Sequence, residues 1–248
     1  MIIRQSFYFP FADSDRTLHI YLPESYDSTE ERYPVTYFFD GHNLFFDSDA
    51  TFGKSWGMKE FLDGWEKSMI VVGLECSHKG NQRLEEYSPY HIVNDFFGDL
   101  HGTGEETMRW LVERVKPYID RTFRTIPFRE TTAIGGSSMG GLMSLYAALH
   151  FNRFFSKAAC LSSSIMSCMD DLRQEIAMAD INPDTRIYLS WGGREGGKRL
   201  ENCNCALAQE LKAQNAIVRV HMQKNGGHNE TCWRKQMDRF MGFLWLDR

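Results

Sequence analysis

Apolar residues along this chain fall into two alternating rhythms. Two early runs, IIRQSFYFP and RTLHIYLPESY, are rich in β-branched and aromatic residues, and the turn residues of FADSD lie between them. That arrangement predicts a hairpin. Six later runs are short and almost continuously apolar: YPVTYFFDG, SMIVVGLEC, TTAIGGSS, KAACLSSS, TRIYLSWGG and IVRVHMQKNGG. Continuous apolar character marks strands covered on both faces, as in the centre of a parallel sheet.

Between these runs the apolar period lengthens to three and four residues, the helical spacing. It does so in KSWGMKEFLDGWEK, ETMRWLVERVKPYIDRTF, MGGLMSLYAALHF, RLENCNCALAQELKAQNA and the closing ETCWRKQMDRFMGFLWLDR. Alternation of strand and helix predicts an α/β fold: a mostly parallel central sheet flanked by helices, in three layers. Two segments break the alternation, 76–104 and 165–184, and long excursions at strand ends are where substrate-contacting loops are expected. No repeat or Pro/Gly/Ser-rich linker interrupts the pattern, so one domain over residues 1–248 is the expectation.

Charge and composition narrow the function. A net charge of -5 leaves no basic excess to neutralise phosphates, which argues against a general nucleic-acid binder. The start of the chain, MIIRQSFYFPFADSDR, has no apolar core behind a basic head, and no run of 18 apolar residues occurs. A cytoplasmic location without a membrane partner is therefore expected. The six cysteines are scattered and read as free thiols. Cys203 and Cys205 flank Asn204, but no second Cys/His pair completes a zinc frame, so no metal and no cofactor are expected.

The stretch AIGGSSMGGL carries the chemistry. Ser137 has Met139 two residues on and fails the G-x-S-x-G pattern, whereas Ser138 lies between Gly136 and Gly140 and fits it. A strand precedes the motif and a helix follows, the context in which the serine is lifted on a tight turn as a nucleophile. A serine hydroxyl needs a base, and the base an orienting acid, in chain order Ser, Asp or Glu, His. Of eight histidines, only His221 and His228 follow a further strand–helix unit. His221 lies inside a strand pattern, while His228 lies in the loop after the last strand and is the candidate base. Glu195 is the single carboxylate in the preceding loop, GGREGG, and is the candidate acid. Asp170 and Asp171 are its rivals, as is a Ser-His dyad with no acid. The oxyanion donors are expected to be the N–H of Met139 and that of His42, with Gly41 next, from the loop DGHNLF.

With these residues in place, the chain resembles the putative-esterase family of α/β-hydrolases, which includes feruloyl esterases, esterase D, siderophore esterases and mycolyltransferases. The resemblance rests on DGHNLF, QRLEEYSPY, the block from KPYIDRTF to LYAALHF, WGGREGG and GGHNETCW. It implies carboxyl-ester hydrolysis through an acyl-enzyme, with Ser138, Glu195 and His228 as the triad. It also points to Arg83 and Tyr87 near the pocket. Asp40, at the head of DGHNLF, is a further candidate for substrate contact, as are Trp56 and Trp233, for which core packing is the alternative. An acyltransferase with the same site and a non-catalytic module on a hydrolase fold are the competing readings. The expected partner is a small-molecule ester whose identity, like the oligomeric state, cannot be read from the sequence.

Overall fold

The computed structural model describes residues 1–246. Strands β1 (Ile2–Phe9) and β2 (Ser14–Tyr21) form the expected hairpin, in antiparallel register Ile2↔Tyr21 to Phe9↔Ser14. Then come β3 (Val35–Phe39), helix α1 (Met58–Asp63), β4 (Ile70–Leu74) and α2 (Gln82–Glu86). A small hairpin follows, β5 (Ile92–Asn94) and β6 (Gly98–Leu100). Helix α3 (Gly104–Trp110) continues through a π-turn at Leu111–Val115 into α4 (Lys116–Thr122). The remaining elements are β7 (Thr132–Ser137), α5 (Met139–His150), β8 (Lys157–Leu161), α6 (Met169–Met178), β9 (Arg186–Gly192), α7 (Gly197–Ala213), β10 (Ile217–Gln223), α8 (Glu230–Arg234) and α9 (Met237–Trp245).

Eight strands make one sheet in the order β1-β2-β4-β3-β7-β8-β9-β10. The five pairings from β4–β3 to β9–β10 are parallel, and β2 joins β4 antiparallel. Successive strand residues point to opposite faces, which divides the core in two. Tyr37, Phe39, Ile70, Val72, Ala158 and Cys160 pack with α3–α7 on one face. Phe38, Val71, Ala159 and Leu161 pack with α1, Trp233 and α9 on the other. This is the three-layer α/β-hydrolase arrangement.

Four elements differ from expectation. The helix expected over 54–67 is only Met58–Asp63, because Gly57 enters it at φ 62° and Gly64 caps its end. The closing helix splits into α8 and α9 around Lys235 and Gln236, and its expected last residues, 247 and 248, lie outside the described residues. β10 was expected to be central but pairs only with β9, and as an edge strand it is mostly half-buried. The excursion 165–184 contains α6, whose buried contacts reduce to Leu172 and Ile176, a stripe too narrow to stand out as a helical period. Among the described residues, no helix is long and apolar enough to cross a membrane.

Candidate active site

The parallel strands converge on one edge, and the backbone there is strained in a consistent way. Asp40 follows β3, Ser138 follows β7 and Ser162 follows β8, three neighbouring strands. All three are non-glycine residues at positive φ: 58°, 58° and 46°. Such conformations cost on the order of 1–3 kcal/mol each and persist where surrounding structure enforces them. Ser138, at φ 58° and ψ -123°, is the corner between β7 and α5. Its N–H donates to Leu161 O at 2.9 Å, anchoring the corner to β8.

The glycines of the motif make the corner sterically possible. A Cβ on Gly136 would meet the Gly140 carbonyl carbon at 2.7 Å, and one on Gly140 would meet Phe39 Cβ at 2.9 Å. The first turn of α5 thus lies directly against the end of β3 and against Asp40. The N–H of Met139, first in α5, has no intrahelical acceptor. The candidate donors Gly41 and His42 form a tight turn with Asn43 on the β3 side of the same junction, and all three are buried. The His42 ring bonds Thr51 Oγ1 through Nε2 at 2.9 Å. Burial, partly offset by the Asp40 carboxylate, holds this imidazole below its ordinary pKa.

Glu195 and His228 meet across the ends of β9 and β10. His228 Nδ1 lies 2.9 Å from Glu195 Oε2. The other carboxylate oxygen, Oε1, accepts from the N–H of Gly192 at 2.8 Å and from the Ser162 hydroxyl at 2.8 Å. Ser162 Oγ in turn accepts from Trp233 Nε1 at 2.9 Å. The indole can only donate, so the Ser162 proton is directed to Glu195. The Trp233 ring also stands edge-on to His228, with centroids 5.3 Å apart. Two backbone bonds tie the loops together, Gly193 N–H to Gln223 O and Arg194 N–H to Gly226 O, both 2.9 Å. Glu195 is buried, while the His228 side chain is 48% exposed. Among the described residues, the Ser138 hydroxyl bonds Ser164 Oγ at 3.5 Å rather than the His228 ring.

The other expected site residues fall into two groups. Arg83 grips Asp40 through both carboxylate oxygens, at 2.7 and 2.6 Å. Burial works against the Asp40 anion, but the Arg83 charge and its hydrogen bonds outweigh it and hold this carboxyl below the usual range. Tyr87 is fully buried; its hydroxyl accepts from Asp40 N–H and donates to Leu74 O, both at 3.2 Å. Trp56 is packed at the centre of a cluster with Phe38, Trp233 and Phe240. Tyr87 and Trp56 therefore sit behind the site, not on its wall. The rival acids Asp170 and Asp171 are exposed in the first turn of α6, and the carboxylate bonded to His228 is that of Glu195.

Sequence reasoning missed several residues here. A cleft of about 800 Å³ reaches Ser164 and His228 and is walled by the β5–β6 turn with Phe96 and Phe97, by Met166, and by Arg194 and Arg199. Ser162 and Ser164 lay in plain view in LSSS, at the end of a predicted strand. Glu230, two residues beyond His228, opens α8 and is buried. Burial raises its carboxyl above the ordinary range and the Asp40 charge adds to this, while His228 and Arg83 offset part. A raised folded-state pKa means the associated stability is complete below the unfolded pKa and is lost as pH rises through the folded one. Glu230→Gln is therefore expected to raise the thermal midpoint more at about pH 8 than at about pH 4. Equal shifts at both, measured by circular dichroism melts, would contradict it.

Known proteins share this architecture. The chain is 24% identical over 188 residues to the uncharacterized protein YbbA of Bacillus subtilis, covering 75% of this chain and 71% of that one. It is 29% identical over 223 residues to the iron(III) enterobactin esterase of Escherichia coli K12, covering 82% of this chain and about half, 52%, of that protein. An IroE-like serine hydrolase from Shewanella oneidensis superposes with a TM-score of 0.81 at 18% identity, covering all of this chain and 81% of the other. The family model described as Putative esterase matches residues 11–244. The chain accordingly belongs to that esterase family of α/β-hydrolase fold, a membership that supports carboxylic ester hydrolysis.

Proposed function

We propose that this protein hydrolyses carboxylic esters through an acyl-enzyme on Ser138, with His228 as the base and Glu195 as its orienting acid. The observation that carries the reading is the hydrogen-bond chain Trp233–Ser162–Glu195–His228, whose histidine lines the same cleft as Ser164, the hydrogen-bond partner of the strained Ser138. Glu195 accepts a hydrogen bond from Nδ1–H, which leaves Nε2 as the nitrogen with the free lone pair, able to act as the base. His228 takes the Ser138 proton as Oγ attacks the ester carbonyl. The N–H groups of Met139 and His42 receive the oxyanion. His228 then protonates the departing alcohol, and water repeats the sequence against the acyl-enzyme. The cleft suits a compact ester with an aromatic portion, since it is lined both by the exposed Phe96 ring and by the side chains of Arg194 and Arg199.

The test is covalent labelling with a fluorescent fluorophosphonate, followed by peptide mass spectrometry. Label is expected on Ser138, retained in Ser137→Ala and lost in Ser138→Ala. A wild type that stays unlabelled at neutral and mildly alkaline pH, or that is labelled on Ser137, would overturn the assignment.

A further inference from the structure

A second cluster of chemically capable side chains lies beyond the triad, on the far side of the Gly41–Asn43 turn. His42 is the middle residue of that turn, and Glu75 and His78 follow the end of β4. One ligating atom from each lies within 4.8 Å of the others. The His42 and His78 rings meet edge to face, centroids 4.6 Å apart. His78 Nε2 lies 2.6 Å from Glu75 Oε1, and buried His19 approaches the other carboxylate oxygen at 3.1 Å.

One atom in this cluster has no partner. His42 is 4% exposed, its Nε2 is engaged by Thr51, and its buried Nδ1 has no hydrogen bond among the described residues. A buried polar atom left alone has given up its hydration without a replacement partner. We propose that His42, Glu75 and His78 form a binding site for a divalent transition metal of the zinc type, with His42 coordinating through Nδ1.

The chemistry of the donors fits this ion. Two imidazoles and one carboxylate form a borderline N₂O set of the kind zinc occupies, with a fourth position for water. The tautomer fits as well. A ligating histidine generally donates its other ring N–H to a neighbour, and Thr51 Oγ1 stands in place to accept from His42 Nε2. His19 plays the same part for Glu75, orienting its free oxygen. Tetrahedral coordination needs ligand atoms about 3.3 Å apart. Glu75 and His78 must then part slightly, and His78, whose side chain is 56% exposed, is free to turn. That exposure is also the route by which the ion enters. The overlapping group Asp40–His42–Cys76 is a poorer set, because Arg83 already holds both Asp40 oxygens. Sequence reading found no such frame because His42 and the Glu75–His78 pair come from separate strand-end loops.

The ion would clamp the turn bearing the proposed oxyanion donor to the end of β4. The site itself does not depend on the hydrolase reading, so its test is binding and not turnover. Co²⁺ and Zn²⁺ are titrated by visible absorption and calorimetry into a protein carrying Cys203→Ser, Cys205→Ser, His91→Ala, His101→Ala and His228→Ala. These changes remove the exposed thiols, the surface His91–Asp99–His101 group and the half-exposed base as alternative ligands. One equivalent is expected to bind, with Zn²⁺ displacing Co²⁺ and raising the thermal midpoint. Adding His78→Ala should abolish the Co²⁺ spectrum, and Thr51→Val should weaken binding by about 10- to 100-fold. No binding in that background, or binding indifferent to His78→Ala, would overturn the site.

Discussion

Replacing His228 with alanine is expected to lower kcat on an activated aryl ester by about 10⁴- to 10⁶-fold, with the fold intact. The size of the effect follows from the nucleophile. A serine hydroxyl is almost wholly protonated at neutral pH, and attack without a base requires it to expel its proton into water. His42 engages Thr51 through Nε2, and His221 bonds Gln223 in the edge strand, whereas His228 is the ring held by a buried carboxylate. The fold survives because His228 is half-exposed and Glu195 keeps two of its three partners, the Gly192 N–H and the Ser162 hydroxyl. What activity is left would come from the oxyanion donors and substrate binding. Stopped assays of kcat beside a circular dichroism spectrum decide it. A loss smaller than about tenfold would remove His228 from the mechanism.

Glu195→Gln is the sharper experiment, with an expected loss of about 10⁴ in kcat. The substitution is nearly isosteric, so its effect is carried by protons alone. At the Oε1 position two donors converge, the Gly192 N–H and the Ser162 hydroxyl, whose own oxygen is held by the Trp233 indole. Only the amide oxygen can sit there. The amide NH₂ must then face His228 Nδ1, which becomes an acceptor. The imidazole proton is displaced to Nε2, where it faces the serine and cannot receive its hydrogen. The same mutation tests the dyad reading, under which His228 needs no acid and kcat should stay within about tenfold of wild type. A Glu195→Gln enzyme that is nearly fully active and correctly folded would sink the triad.

Much of the architecture was legible because its signals are local. A strand covered on both faces must be apolar at nearly every position, so β3, β4, β7, β8 and β9 announce themselves as short continuous runs. The corner at Ser138 is legible for the same reason: Gly136 and Gly140 are demanded by backbone contacts of 2.7 and 2.9 Å, and glycine is the one residue that tolerates them. Where packing weakened the local signal, reading failed. α6 buries only Leu172 and Ile176, and β10, expected to be central, alternates Val218 and Val220 with Arg219 and His221, as a half-covered edge strand does.

By itself, then, the sequence determined the order of strands and helices, the strained corner, and the loops on which a base and an acid would ride. Only the tertiary structure decided which atoms meet. It brings Glu195 and His228, 33 residues apart, to 2.9 Å, and holds that carboxylate through Ser162 and Trp233. It turns Tyr87 and Trp56 inward as supports, buries Glu230 within electrostatic reach of Asp40, and gathers His42, Glu75 and His78. The physical reason is one of range. Periodicity and turn chemistry are set by a few neighbouring residues, whereas hydrogen-bond partners across strand ends depend on register and sheet twist, which many distant contacts fix together.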